Sequence, residues 1–150
     1  MHKNFRISLG IILVAVVLAA CSSPMAAGPT PTPRPCTVTE VKEFLNTLLE
    51  TVQRFDDTAE AAKNTALSGL APAIAEMEAA RQETQQSQVP ACTEPAKAAL
   101  LLSMDTRIEG YRQILAGEPG EKSAATLKLA DDQTTAFNTV LANLLNQATK

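Results

Sequence analysis

The sequence has no tryptophan, one tyrosine and one histidine. The histidine is His2, at the very start, so nothing further along can supply an imidazole. That removes whole classes of site. A di-iron bundle needs Glu-x-x-His on paired helices, and a c-type haem needs Cys-x-x-Cys-His. Ser-His-Asp and Cys-His nucleophile systems lose their base. There are three cysteines, Cys21, Cys36 and Cys92, and no two are close in sequence. A Cys-x-x-Cys redox pair is therefore absent, and a zinc site would have too few soft ligands. Positive charge is also short, with 13 Lys and Arg against 16 Asp and Glu and a net charge of −3. Nucleic-acid affinity comes largely from Lys and Arg on phosphates, so no nucleic-acid partner is expected. No basic patch offers itself to anionic lipid. No stretch alternates in the manner of a strand. No cofactor and no metal is expected, and the chain reads as something other than an enzyme.

What is present begins at the N-terminus. Lys3 and Arg6 precede a run from Ile7 to Ala20 that is uncharged and almost wholly apolar. A basic start, a short apolar stretch and small residues at its end form a secretory signal. The run is shorter than the roughly 20 apolar residues that span a membrane. It closes on Leu18-Ala19-Ala20-Cys21. These four residues resemble the lipobox of bacterial lipoproteins. The resemblance covers residues 1–21 and implies cleavage before Cys21, with a diacylglyceryl group on its sulfur and an acyl chain, such as palmitate, on its amine. Two or more chains give stable anchoring where one does not. The alternative is an ordinary signal peptide cut after Ala-x-Ala. Cleavage at Cys21 would leave 130 residues, and loss of Lys3 and Arg6 would take Lys plus Arg from 13 to 11, for a net charge of −5.

The chain therefore divides into a signal peptide at 1–20, a lipidated Cys21 and Pro/Thr-rich linker over 21–35, and a helical domain over 36–150. Within the linker, Pro29 to Pro35 places proline at every second residue. That favours polyproline II and a reach of about 40 Å at about 3.1 Å per residue. A spacer is the plainest reading. A glycosylated threonine stretch or a ligand for a proline-binding groove is the sharper one.

Four stretches after Cys36 carry helical periodicity. The first opens on Thr37-Val38-Thr39-Glu40, the pattern of a capping box. Apolar residues follow at Val38, Val41, Leu45, Leu48, Val52, Phe55, Ala59 and Ala62, alternating steps of three and four. Phe44 and Leu49 widen that stripe. Asn64 to Pro72 reads as an interruption, with Pro72 in the first turn of the next helix. The second stripe is Leu67, Leu70, Ile74, Met77, Ala80 or Arg81, and Thr84, ending at Val89-Pro90. A third helix is expected from a Thr93 cap, with Leu101, Met104, Ile108, Tyr111 and Leu115 inward. Gly117 stops it, and Glu118-Pro119-Gly120 turns the chain. A fourth runs from about Glu121 to Ala148 with Leu127, Ala130, Thr134, Phe137, Leu141, Leu144 and Ala148 on its seam.

Four amphipathic helices joined by short loops make an all-α, antiparallel up-down four-helix bundle. The rival is two helical hairpins that pack on a partner or on another copy. Past the signal, aromatics are limited to Phe44, Phe55, Tyr111 and Phe137, so leucine and alanine do most of the packing. Cys36 precedes the first helix and Cys92 follows the second, which puts both at one end of an antiparallel hairpin. A structural disulfide is expected there, since disulfides persist outside the cytoplasm. Asp105, Asp131 and Asp132 are the only acids worth weighing for acid–base work, and helix-surface acids are usually solvated. Met77 and Met104 read as core filler rather than soft-metal ligands.

The assembled pieces resemble small uncharacterised helical lipoproteins of bacteria, through the lipobox, the Pro/Thr linker, a cysteine before the first helix and Val89-Pro90-Ala91-Cys92 before the third. The resemblance implies no activity. It implies an extracytoplasmic protein held to the cell membrane or outer membrane by lipid on Cys21. Two function classes stay open: a structural or partner-interaction module, or a bundle that binds a small ligand between its helices. An exposed apolar patch would favour the first, and a pocket of a few hundred Å³ with convergent polar groups the second. Any partner contact is expected at the loops Asn64 to Pro72 and Gly117 to Lys122, raised at the end away from Cys36.

Overall fold

The computed structural model describes residues 34–149. The signal peptide, Cys21 and all of the linker before Arg34 lie outside the described residues. Four helices follow in order: α1 (Val38–Lys63), α2 (Leu67–Gln86), α3 (Glu94–Leu115) and α4 (Gly120–Ala148). A short 3₁₀ turn, Ala91–Thr93, leads into α3. No strand occurs among the described residues. The architecture is an all-α four-helix bundle in which α2 and α4 run against α1 and α3.

α1 starts where the capping box places it. The Glu40 N–H donates to Thr37 Oγ1 at 3.2 Å, and the Thr37 N–H donates to Glu40 Oε2 at 2.9 Å. Two backbone donors that the helix cannot satisfy itself are thus paired. Arg34 also donates to Glu40 Oε2, at 3.0 Å. Asn64 caps the far end.

The α1–α2 connection is shorter than the sequence suggests. α2 begins at Leu67, and Pro72 lies inside it rather than in its first turn. The missing proline N–H leaves the Ser68 carbonyl, one turn earlier, without its helical donor. Ser68 is exposed, so water can take that place and the helix continues through. Leu67, expected on the seam, is exposed for the same reason: the helix begins at the surface.

Thr93 stands at the N-cap of α3 as expected, but its side chain makes no cap hydrogen bond. Its hydroxyl donates instead to the Pro90 carbonyl at 2.7 Å and closes the 3₁₀ turn. At the other end of α2, the buried Lys97 Nζ donates to the Ser87 carbonyl at 2.6 Å. A cation there satisfies a terminal carbonyl and favours the negative end of the helix dipole. α3 ends in a Schellman motif. Gly117 takes φ +71°, its N–H donates to Ile114 O, and the Glu118 N–H donates to Gln113 O. Glycine adopts that left-handed geometry without a Cβ clash.

The core is built mainly by α1, α2 and α3. Phe44, Leu48 and Phe55 of α1 meet Leu70, Ile74, Met77 and Ala80 of α2, with Leu100, Met104, Ile108 and Tyr111 of α3. Tyr111 is buried, and its hydroxyl donates to the Ala59 carbonyl of α1 at 2.6 Å. Leu100, off the expected stripe, is buried, while Leu101 beside it is only half-buried. Cys36 and Cys92 form a disulfide with their Cα atoms 5.4 Å apart. It joins the residue before α1 to the turn before α3.

Candidate functional site

α4 is placed by α3. Gly110 is buried under Leu127, so closely that a Cβ on Gly110 would sit 2.6 Å from Leu127 Cδ2. Arg107 of α3 donates to Asp131 of α4 at 2.7 Å. These two contacts fix an antiparallel register. Carried on at that register, α3 runs out at Glu94 opposite about residue 143, at equal rise per residue in both helices. The last turn of α4 therefore overhangs the start of α3. Against α1 the packing of α4 is slight, and the seam between them stays open.

That seam is the candidate site. α1 carries Leu45, Leu48, Leu49 and Val52, a stripe one residue wider than the core needs. α4 carries Phe137, Leu141 and Leu145 at steps of four, which keeps them on one face. The groove between them has two compartments that share Val52, Leu100 and Phe137. The apolar one, about 90 Å³, is lined also by Phe44, Leu45, Leu48, Leu49 and Leu141. The mixed one, about 190 Å³, adds Asp56, Arg107 and Asn138 beside Phe55. Leu49 is 54% exposed, and Leu45 and Leu145 are each 36% exposed. Phe137, Val140, Leu141 and Leu144 are only half-buried.

The electrostatics are confined to one end. Burial pushes the Asp56 carboxyl above its ordinary range; the nearby Arg107 guanidinium opposes this and Asp57 adds to it. Gln133 Oε1 is buried on α4 with no hydrogen-bond donor among the described residues. From Gln133 to its end at Ala148, α4 has no charged residue. The opposite side of the bundle differs. There Arg81 grips Asp105 through two hydrogen bonds, at 2.7 and 2.9 Å, and Arg112 donates to Glu78 at 2.7 Å. Ala80 faces inward and Arg81 lies over the surface, its stem packed and its head paired.

The acids weighed from sequence are all engaged in ion pairs: Asp105 with Arg81, Asp131 with Arg107, Asp132 with Lys128. Each of these carboxylates is thus held by a neighbouring cation at the helix surface. Met77 and Met104 are fully packed core residues. At the far loops Leu67 is 61% exposed at the start of α2 and Leu115 is 42% exposed before Gly117, and Glu118 there pairs with Lys122 at 3.3 Å. The α1–α4 groove adds a second such surface, on helix faces. Its signal was the excess of leucine beside the α1 stripe together with the loss of charge after Asp132.

The fold thus defines a helical bundle with one open apolar seam. No helix among the described residues is long and apolar enough to cross a membrane. No known protein family, curated protein or solved structure matches the chain.

Proposed function

We propose that the chain is exported, lipidated on Cys21 and held at the extracytoplasmic face of the cell membrane or outer membrane, where its bundle is a partner-interaction module. The observation that carries the interaction reading is the open α1–α4 seam. Leu45 and Leu49 line the groove and stand partly in solvent, beside half-buried Leu141 and with Leu145 exposed one turn further along α4. Contiguous apolar surface of this kind marks protein contacts in soluble domains. The anchor rests on residues 1–21 alone. Its test is Cys21→Ala with labelled palmitate and membrane fractionation. The variant should lose label and either stay uncleaved or become soluble. A variant processed and membrane-bound like the parent refutes the anchor. The interaction reading is tested by crosslinking on intact membranes, where Leu49→Arg should abolish an adduct that the parent forms.

A second reading places a small ligand in the seam. It draws on the mixed compartment, where Asp56, Arg107 and Asn138 converge beside Phe55 and Phe137. Size decides against giving it first place. The compartments of about 190 and about 90 Å³ together fall short of the roughly 300 Å³ at which ligand pockets usually begin. Asp56 is also only partly buried, at the exposed rim of that compartment, so water reaches its carboxyl without a ligand.

A further inference from the structure

We infer that the α1–α4 seam receives an amphipathic helix of another protein, laid with acidic residues over Lys42 and basic residues over Asp56. The inference rests on reading the seam as an interaction surface and names the chemistry of the partner. It is independent of the anchor at Cys21.

The rim of α1 carries the first observation. Lys42, Leu45, Leu49, Gln53 and Asp56 recur at steps of three and four, so they share one face of the helix. Leu45 and Leu49 line the apolar compartment and Asp56 lines the mixed one, so that face borders the groove. Its order is a cation at the Cys36 end, leucine in the middle and an acid at the far end. Asp56 lies fourteen residues beyond Lys42, about 21 Å at about 1.5 Å per residue.

Neither end charge is spent inside the bundle. Lys42 and Asp56 enter no salt bridge among the described residues. Arg107, the cation that lines the mixed compartment, is held by Asp131 of α4 at 2.7 Å. Burial keeps the Asp56 carboxyl above its ordinary range; Arg107 opposes this only in part, and Asp57 adds to it. A partner's cation seated over Asp56 offsets that cost, and a partner's acid matches Lys42.

The walls decide the form of the occupant. Both are helices whose backbone groups are already paired along their lengths. An extended segment laid between them would leave its own N–H and C=O groups facing leucine. A helix pairs its own and sets its side chains between the rows of α1 and α4. Acid in the first turn and base in the last is also the order that a helix dipole favours. The partner helix therefore runs as α1 runs, from the Cys36 end toward Asp56. It carries apolar residues at steps of three and four over the two turns that face Leu45 to Val52. A lipid chain would cover the leucines and leave both charges unmatched.

The test sets a photo-crosslinking benzophenone amino acid in place of Gln53, which is exposed on the rim between Leu49 and Asp56. The full-length chain is irradiated on intact membranes, and the crosslinked peptide is sequenced by mass spectrometry. The adduct should join a segment of another protein with that apolar spacing, Asp or Glu at its N-terminal end and Lys or Arg at its C-terminal end. Asp56→Lys should cut the yield by about threefold or more, and replacing the facing base of the partner by Glu should restore it. Lys42→Glu should behave likewise, restored when the partner's facing acid is replaced by Lys. Leu102→Arg, exposed on α3 outside the groove, should crosslink like the parent. Circular dichroism of each variant verifies the fold. An adduct to lipid, to a second copy of this chain or to a segment without that order of charges overturns the inference. If a protein adduct is lost with Leu49→Arg but unmoved by Asp56→Lys and Lys42→Glu, the charged helix falls while the interaction reading stands. If no protein adduct forms, both fall.

Discussion

α1, α2 and α3 differ from α4 in a way their sequences do not announce. α4 is the longest helix, at 29 residues, yet it fully buries only Ser123 and Ala130. α1 is three residues shorter and buries Val41, Phe44, Leu48, Phe55, Ala59 and Ala62. The apolar stripes of the two look alike on paper. Periodicity states which face of a helix is apolar. How deep that face goes depends on what packs against it. Three helices already fill the core around Met77, Met104 and Tyr111, and α4 is laid on the outside along α3.

The largest test of this division is the disulfide. Cys36–Cys92 ties α1 to the turn before α3 and leaves α4 outside the loop it closes. Its sequence separation is 56, and closing a loop of that length in the unfolded chain is worth about 4 kcal/mol in the chain-entropy model. Urea unfolding with and without reductant should show a loss of that order. A negligible loss would mean that the three-helix unit holds without its staple.

Core truncations come next. Met104→Ala, in the shared core, should cost about 2–5 kcal/mol. Leu141→Ala, on the open seam, should cost about 1 kcal/mol because its side chain is only half-buried. Equal costs in denaturant titrations of the monomer would break the contrast between core and periphery. Gly110→Ala tests the α3–α4 contact itself. Its Cβ meets Leu127 Cδ2 and Cγ at 2.6 and 2.8 Å and the Leu127 backbone N at 3.4 Å. Overpacking of about 1–3 kcal/mol, offset by up to about 1 kcal/mol of helix propensity, should leave a net loss. Hydrogen exchange should place that loss in α4 rather than in α1.

The smallest effects are electrostatic. Asp56 has its carboxyl raised by burial against the counter-effect of Arg107. An acid with a raised folded pKa contributes most below its unfolded value, and that contribution is lost as pH rises through the folded one. Asp56→Asn should therefore raise the melting temperature slightly at neutral pH and leave it unchanged in acid. Glu40 goes the other way, lowered from 4.5 to about 2 by the Arg34 hydrogen bond first and then by the Thr37 N–H and hydroxyl. Its contribution is present above 4.5 and lost as pH falls toward 2. Glu40→Gln should remove that acid-side slope from a plot of melting temperature against pH. The effect is small and salt-sensitive, because the pair is exposed. α4 has no such device: Pro119 stands at its N-cap and makes no side-chain cap.

The parts legible in the sequence were those set by local chemistry. The Thr37–Glu40 box, the Gly117 stop and the end of α2 before Val89-Pro90 each depend on residues within a few positions of one another. The meeting of Cys36 and Cys92 needed only an antiparallel hairpin. What was not legible depended on neighbours. Pro72 was misplaced because only exposure at Ser68 tells whether a lost carbonyl partner matters. Lys97 carried no sequence mark of burial, since its partner, the Ser87 carbonyl, is supplied by the backbone of another helix. The open seam was half-visible, in Leu49 beside a stripe that Leu45 already completes, and in the vanishing charge after Asp132. Which of two helices α4 would lean on was decided by Gly110, whose lack of a side chain draws α4 toward α3.

The Cys36–Cys92 bond also sets how tension travels through the molecule. A pull on the chain ahead of Arg34 does not reach α1 alone. At Cys36 it divides, one branch entering the first turn of α1 and the other crossing the sulfurs to the turn before α3. Two parallel helices are thus loaded together along their lengths, so they resist in shear, and α1 cannot be peeled from the bundle one turn at a time. α4 lies outside the loop that the bond closes and is held to the bundle mainly along α3, so a load taken on its exposed face reaches the staple only through the Gly110–Leu127 and Arg107–Asp131 contacts.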